Sequence, residues 1–302
     1  MEIRQLRTFQ AVARFLSFNR AADELNYAQS SISAQIQTLE EELGVKLFDR
    51  LGRRILLTEA GLRLQQYADK IVDLADETPS GVVGSRELRG SLTVKMPESI
   101  GVHRMPPVIK EFRSRFPKVR IRFVSCSHEG LQKDLRKGIT DVAFLLTESI
   151  QAADIEAEPL GIEPLVLVAC PGHRLAKQAE VHARDLAGEC ILLSTVDCSY
   201  RRSLESVLSA ENIRYENAFE YNSVAALKES VMTGVGISIL PEISVKKDIS
   251  RGRLAALPWA EEKLEVATLM IWYKDKWISP TLGAFMQVSR EVLQDAYKDS
   301  SR

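Results

Sequence analysis

The stretch from Ser17 to Leu39 constrains this chain more than any other. Phe18, Ala21, Ala22 and Leu25 recur at helical spacing, and Ser17 stands where its hydroxyl caps the first free backbone N–H groups of a helix. Asn26-Tyr27-Ala28 supplies a turn, because asparagine tolerates the left-handed conformation that ends helices. Ile32, Ile36 and Leu39 then line one face of a second helix and leave Gln29, Ser30, Ser33, Ala34, Gln37 and Thr38 over the rest. The pair reads as a helix-turn-helix, in which one helix packs and the other is left to read a nucleic-acid groove.

Downstream, Leu51-Gly52-Arg53-Arg54 marks a short hairpin, and with Arg50 it carries three arginines within five residues. Such a hairpin is a wing. These segments together resemble the amino-terminal pattern of the LysR-type transcriptional regulators: S-F-x-x-A-A-x-x-L from Ser17, Q-x-x-I-S-x-Q-I-x-x-L-E from Gln29, L-G-x-x-L-F-x-R from Leu43 and L-T-x-A-G from Leu57. The resemblance implies double-stranded DNA as a partner, with Gln29, Ser30, Ser33, Ala34 and Gln37 on the reading helix and Arg50, Arg53 and Arg54 in the wing. Gln29 and Ser33 are the leading candidates for base-edge contacts, Arg53 and Arg54 for phosphates. The chain departs from the family at Ala28, where Ser or Thr often caps the helix, and at Ala34, often basic. Readout at position 34 is then apolar, as against a thymine methyl, or absent.

Composition bounds the rest. With 302 residues, 45% hydrophobic and 27% charged, the chain has room for two or more ordinary globular domains. It shows no long apolar run and no signal-peptide design after Met1, which predicts a cytoplasmic protein without a membrane span. The net charge of −1 is neutral on the question of nucleic acid, and residues 1–58 hold eight Lys/Arg against seven Asp/Glu, so placement decides. The acids gather at Glu40-Glu41-Glu42, away from the wing. Cys126, Cys170, Cys190 and Cys198, and the four histidines, lack metal-ligand spacing; the thiols read as small packed hydrophobes. Cys198, in Asp197-Cys198-Ser199-Tyr200-Arg201-Arg202, keeps a redox reading open, since two arginines would favour its thiolate. No cofactor is expected.

From Thr58 to Thr78, Leu64, Ala68, Ile71, Ala75 and Thr78 alternate steps of four and three, as a coiled-coil seam does. The seam wants either a second copy of itself or its own domain; the family resemblance favours the second copy, and Pro79 is expected to interrupt the helix. A paired seam predicts a dimer on an interrupted inverted repeat of DNA, and the resemblance adds a tetramer.

Beyond Gly90 strands and helices alternate: strands at 92–96, 119–124 and 142–146 with helices at 107–116 and 131–137, then strands at 164–169, 191–193, 219–221, 236–241 and 266–272 with helices at 202–210, 224–233 and 281–296. This order predicts mainly parallel sheets in two lobes. The fold class is therefore α/β: a winged helix-turn-helix at 1–58, a linker helix and hinge at 59–89, and at 90–302 an effector domain that, through the resemblance, takes the fold of periplasmic solute-binding proteins. Lobe one then covers about 90–160 and 266–302, lobe two about 161–265.

Ligands of such sheets sit beyond the carboxyl ends of the strands. Ser99 and Ile100, Ser127, Ser194, Thr195, Ser199, and Asn222-Ser223 stand at such ends, each hydroxyl either a helix cap or a donor to a small anionic effector. Arg201, Arg202, His103 and Arg104 are candidates to neutralise a carboxylate, and Gly234 and Gly236 to make a tight turn near the cleft. A solute-binding protein is the rival reading, opposed by the missing signal peptide. An enzyme is opposed by the lack of a nucleophile-base pair, phosphate loop or metal cluster.

Overall fold

The computed structural model describes residues 1–51, 54–83, 88–125, 130–147, 152–194 and 199–300. The chain divides into two compact units: Met1–Leu92 with Lys118–Arg120 and Ser279–Thr281, and Thr93–Pro117 with Ile121–Ile278 and Leu282–Arg302.

In the first unit α1 (Ile3–Phe15), α2 (Phe18–Leu25) and α3 (Gln29–Leu43) precede the hairpin β1 (Phe48–Leu51) and β2 (Arg54–Leu57), and α4 (Glu59–Val83) follows. Ser17 Oγ accepts the Arg20 amide at 3.3 Å, and Asn26 adopts φ 54°, ψ 43°, so both helix boundaries form by the expected chemistry. Ala28 gives α3 no side-chain cap. Leu6, Phe9 and Val12 of α1 meet Phe18, Ala21, Ile32, Ile36, Leu39 and Leu47 in one buried core, with the Phe48 ring 5.3 Å from that of Phe9 and 6.0 Å from that of Phe18. Burial of each large side chain contributes about 1.5–3 kcal/mol, which is how a short three-helix unit holds its wing.

The linker helix differs from expectation in two ways. Leu64 and Ala68, read as part of an outward seam, pack with Val72 into the core beside α1. Gln10 donates to Asp69 at 2.8 Å and Arg7 pairs with Asp76, pinning α4 along α1. At 3.6 residues per turn this face excludes its neighbours, and a second apolar stripe, Tyr67, Ile71 and Leu74 with Thr78, is left exposed. The helix also passes through Pro79 and ends at Val83. Proline deletes one helical hydrogen bond, here in the last turns, and the preceding turn is reinforced by Thr78 Oγ1 donating to the Leu74 carbonyl at 2.7 Å.

The remaining elements are β3 (Gly90–Met96), α5 (Glu98–His103), α6 (Met105–Arg115), β4 (Val119–Ser125), α7 (Leu131–Arg136), β5 (Val142–Leu146), β6 (Ile155–Ala169), β7 (Cys190–Ser194), α8 (Ser199–Ala210), β8 (Glu216–Tyr221), α9 (Val224–Met232), β9 (Ser238–Pro241), α10 (Glu242–Ser250), β10 (Ala255–Ala256), β11 (Glu265–Tyr273) and α11 (Pro280–Ser300). Strands order as β10-β6-β11-β5-β3-β4, with β9 also on β6 and β7 beside β8. The expectation of mainly parallel sheets is corrected: β3–β5 and β7–β8 are parallel, but β5–β11, β11–β6, β6–β9 and β6–β10 are antiparallel. The cause is the double crossing. Residues 155–164 of β6 pair with β11, and residues 165–169 pair with β9 and β10, so one strand carries the chain into lobe two while β11 brings it back in the opposite direction.

All of β5 is buried, with Ala143 and Leu145 packed under α7 and Phe144 edge-on to Phe285 of α11 at 6.4 Å. That double coverage is why Val142-Ala143-Phe144-Leu145-Leu146 is apolar throughout. The helices α5 and α10, absent from the sequence reading, each start directly after a proline, Pro97 and Pro241.

Candidate nucleic-acid interface and effector cleft

On α3 the buried residues Ile32, Ile36 and Leu39 hold the helix down, while Gln29, Ser30, Ala34 and Gln37 are exposed and Ser33 is half-buried. Gln29 Nε2 donates to Ser33 Oγ at 2.8 Å and Gln37 Nε2 to Glu41 Oε1 at 2.8 Å, so two amides about two turns apart are each held by a partner one turn further along α3. Thr8 donates from α1 to Gln35 at 2.8 Å and fixes the roll of α3 about its axis. Such a face can offer amide and hydroxyl groups to base edges with little entropy left to lose. Arg50 and Arg54 occupy β1 and β2, registered opposite Ile55 and Leu51; Arg53 lies outside the described residues.

Glu40, read as one of three surface acids, is a structural group. It is buried, its Oε1 accepts the amides of Leu47 at 2.8 Å and Phe48 at 3.3 Å, and its Oε2 accepts Lys46 Nζ at 2.7 Å. One carboxylate thus ties the end of α3 to the start of the wing. Gly61 serves the same corner: a Cβ there would lie 2.2 Å from the Leu47 carbonyl oxygen, so only glycine lets α4 cross the wing strand.

In the two-lobed domain, four buried hydroxyls lack a hydrogen-bond partner among the described residues: Ser99, Thr140, Ser194 and Ser289. Thr140 lies ahead of β5 and Ser289 within α11, but Ser99 and Ser194 stand at the carboxyl ends of β3 and β7. The two are brought toward one place. Ser194 is registered opposite Tyr221, just before α9, and Glu98, the neighbour of Ser99, accepts the Val224 amide of α9 at 2.9 Å. Leaving a hydroxyl buried and unpaired costs about 1–3 kcal/mol, a reason to look for a missing partner. Ile100 is fully buried beneath, and Asn222 is exposed at the rim. Ser127, Thr195 and Cys198 lie outside the described residues.

Three of the cationic candidates have partners within the protein. Arg201 gives its Nε to Glu205 at 2.8 Å and its Nη1 to Glu220 at 2.7 Å inside lobe two, and although burial opposes its charge these two carboxylates raise its pKa. Arg202 donates to Ser199 Oγ at 3.0 Å, so the Ser199 hydroxyl is engaged too. Arg104 pairs with Glu163, both buried, at 2.8 Å and lies 4.2 Å from the Tyr297 ring centre. Burial, followed by the nearby Lys228, Lys247 and Arg104, lowers the His103 pKa. Gly236, grouped with the effector residues, answers to packing: a Cβ there would lie 2.2 Å from the Cys190 carbonyl oxygen, where Ile237 bridges Ile191. Glu98 and the Arg104–Glu163 pair were not legible in advance; their partners are 126 and 59 residues away.

Among the described residues no group of three or more His, Cys, Asp or Glu side chains could hold a metal ion, and no helix is long and apolar enough to cross a membrane. Cys170 and Cys190 are free and half-buried.

A DNA-reading winged helix joined to a two-lobed ligand-binding fold defines a class: the ligand-responsive transcription factor. Residues 3–62 match the model of bacterial regulatory helix-turn-helix proteins of the lysR family, and residues 85–294 match the LysR substrate binding domain. The chain is 40% identical over 295 residues, 97% of its length and 100% of the other, to the uncharacterized HTH-type transcriptional regulator YwqM of Bacillus subtilis. It resembles full-length CbnR in complex with its target DNA (TM-score 0.71, 23% identity, 97% of this chain and 100% of that one) and HinK, a LysR family transcriptional regulator from Pseudomonas aeruginosa (TM-score 0.60, 28% identity, 97% and 99%). The chain belongs to the LysR family of transcriptional regulators, proteins that bind DNA and small-molecule effectors and self-associate; it is not an enzyme.

Proposed function

We propose that this regulator reads an interrupted inverted repeat through Gln29, Ser30, Ser33, Ala34 and Gln37 of paired α3 helices, with Arg50, Arg53 and Arg54 on the phosphates. Its activity is set by a small anionic effector between the lobes. The domains are 1–58 for DNA, 59–89 for the linker and 90–302 for the effector, and its work on DNA makes it cytoplasmic. The observation that carries the effector reading is the pair of buried, unpartnered hydroxyls, Ser99 and Ser194, one in each lobe. Buried hydroxyls without partners are matched by a ligand that accepts from both. Ser127, Thr195, Ser199, Asn222 and Gly236 complete the surroundings, with Gly236 and Ser199 as scaffold. The exposed stripe Tyr67, Ile71 and Leu74 supports pairing of two copies along α4.

Footprinting the DNA upstream of its own gene, with and without a panel of small carboxylic acids, tests the reading. A protected inverted repeat whose pattern changes with one acid is expected. Protection of random DNA to the same extent, insensitive to every acid, refutes it.

A further inference from the structure

The six-residue helix α5 of lobe one is tied to lobe two at both ends, and the two ties differ in kind. At its carboxyl end Arg104 makes two bonds to Glu163 in β6, at 3.1 and 2.8 Å, with both residues buried and Tyr297 against the guanidinium. A buried, doubly bonded pair at the crossing strand is a fixed point, because parting it strands two charges away from water. At its amino end, among the described residues, a single bond crosses: Glu98 Oε2 accepts the Val224 amide at 2.9 Å, in a part-buried place. Val224 is the first residue of a nine-residue helix, α9, whose third amide, at Ala226, is already served by Ser223 Oγ at 3.4 Å. A carboxylate of the protein therefore occupies the position at α9 that attracts any anion. The unpartnered Ser99 hydroxyl is on the next residue, and that of Ser194 is registered beside the same strand end.

We propose that Glu98 is a releasable latch across the cleft: with no effector present it acts as a built-in anion at the start of α9, and an anionic effector takes its place while Arg104–Glu163 stays as the pivot. The proposal rests on the anionic-effector reading above and adds to it that the effector competes with a side chain of the protein. This bears on sensitivity, since the effector's apparent affinity is lowered by the fraction of molecules that are latched.

Backbone-resolved hydrogen exchange on the full-length protein, as wild type, Glu98→Ala and Glu98→Gln, tests it with sodium sulfate as the probe at constant ionic strength. Val224 is expected to exchange about tenfold faster in Glu98→Ala, and faster to a smaller extent in Glu98→Gln, which keeps an acceptor of the same shape. Sulfate is expected to restore protection in Glu98→Ala at concentrations that leave the wild type unchanged, with Phe144 in the lobe-one core equally protected in all three as the check on folding. Unchanged exchange at Val224 in both variants overturns the latch. So does sulfate that protects Val224 equally in wild type and Glu98→Ala, or in neither. Sulfate protection confined to the segments around Ser99 and Ser194, with Val224 indifferent to position 98, would remove the latch while leaving the effector cleft standing.

Discussion

Asp248 shows how one buried carboxylate is kept charged. Burial pushes its pKa up, but Lys228 at 2.7 Å and Arg253 outweigh that and bring it below the usual carboxylate value of 3.8. A lowered folded pKa means stability that is present above 3.8 and lost as pH falls through the folded value. Asp248→Asn is expected to cost about 3 kcal/mol at pH 7, at the lower end for a buried pair because Arg253 is half in solvent. Urea unfolding read from neutral pH into acid should show the difference from wild type shrinking below the usual carboxylate value. At the DNA face, Gln29→Ala is expected to cost about 1–3 kcal/mol of affinity, unequally among operator sequences. Fluorescence anisotropy on a set of single-base operator variants measures it, and a uniform loss on all of them would move Gln29 to a positioning role.

At the scale of elements, α4 carries two apolar stripes with different fates. Ala68 and Val72 are buried against the helix-turn-helix, so the linker moves with the DNA-reading unit as one body, while Ile71 on the other stripe remains 37% exposed. Ile71→Asp is expected to dissociate the dimer without unfolding the unit, since the charge meets a partner only in the assembly. Sedimentation velocity checks the first half and thermal unfolding the second; an unchanged oligomer would place the interface elsewhere. Past its midpoint α4 meets the first residues of β3 and β4 through Asp73, which accepts Ser91 Oγ and Arg120. Burial raises the Asp73 pKa, with Ser91 and Arg120 pulling the other way.

For the whole molecule, a ligand alters DNA binding only through a difference in its affinity for two arrangements of the assembly. Ser99→Ala is expected to leave effector-free operator binding within about twofold of wild type, as the residue belongs to a different compact unit from α3, and to weaken the effector response about tenfold or more. Operator affinity and effector-dependent transcription, measured side by side, decide it. A variant that loses operator binding but keeps a normal effector dose response would make Ser99 a structural residue.

What the sequence determined by itself was everything governed by near neighbours. Ser17 and Asn26 bound α2 by local hydrogen bonding and a left-handed turn, the apolar spacing of Ile32, Ile36 and Leu39 decides which face of α3 is outward, and the ordered motifs around them carry the family. Tertiary structure alone decided what depends on distant partners. The crossing direction of β6 and β11 made the sheets mixed, because strand polarity is set by the return of the chain and not by alternation. Packing against α1 chose Ala68 for the core and left Ile71 outside. Arg104 and Arg201, which local sequence offers as ligand cations, were claimed by Glu163, Glu205 and Glu220, since a buried guanidinium must be paired wherever the fold brings a carboxylate to it.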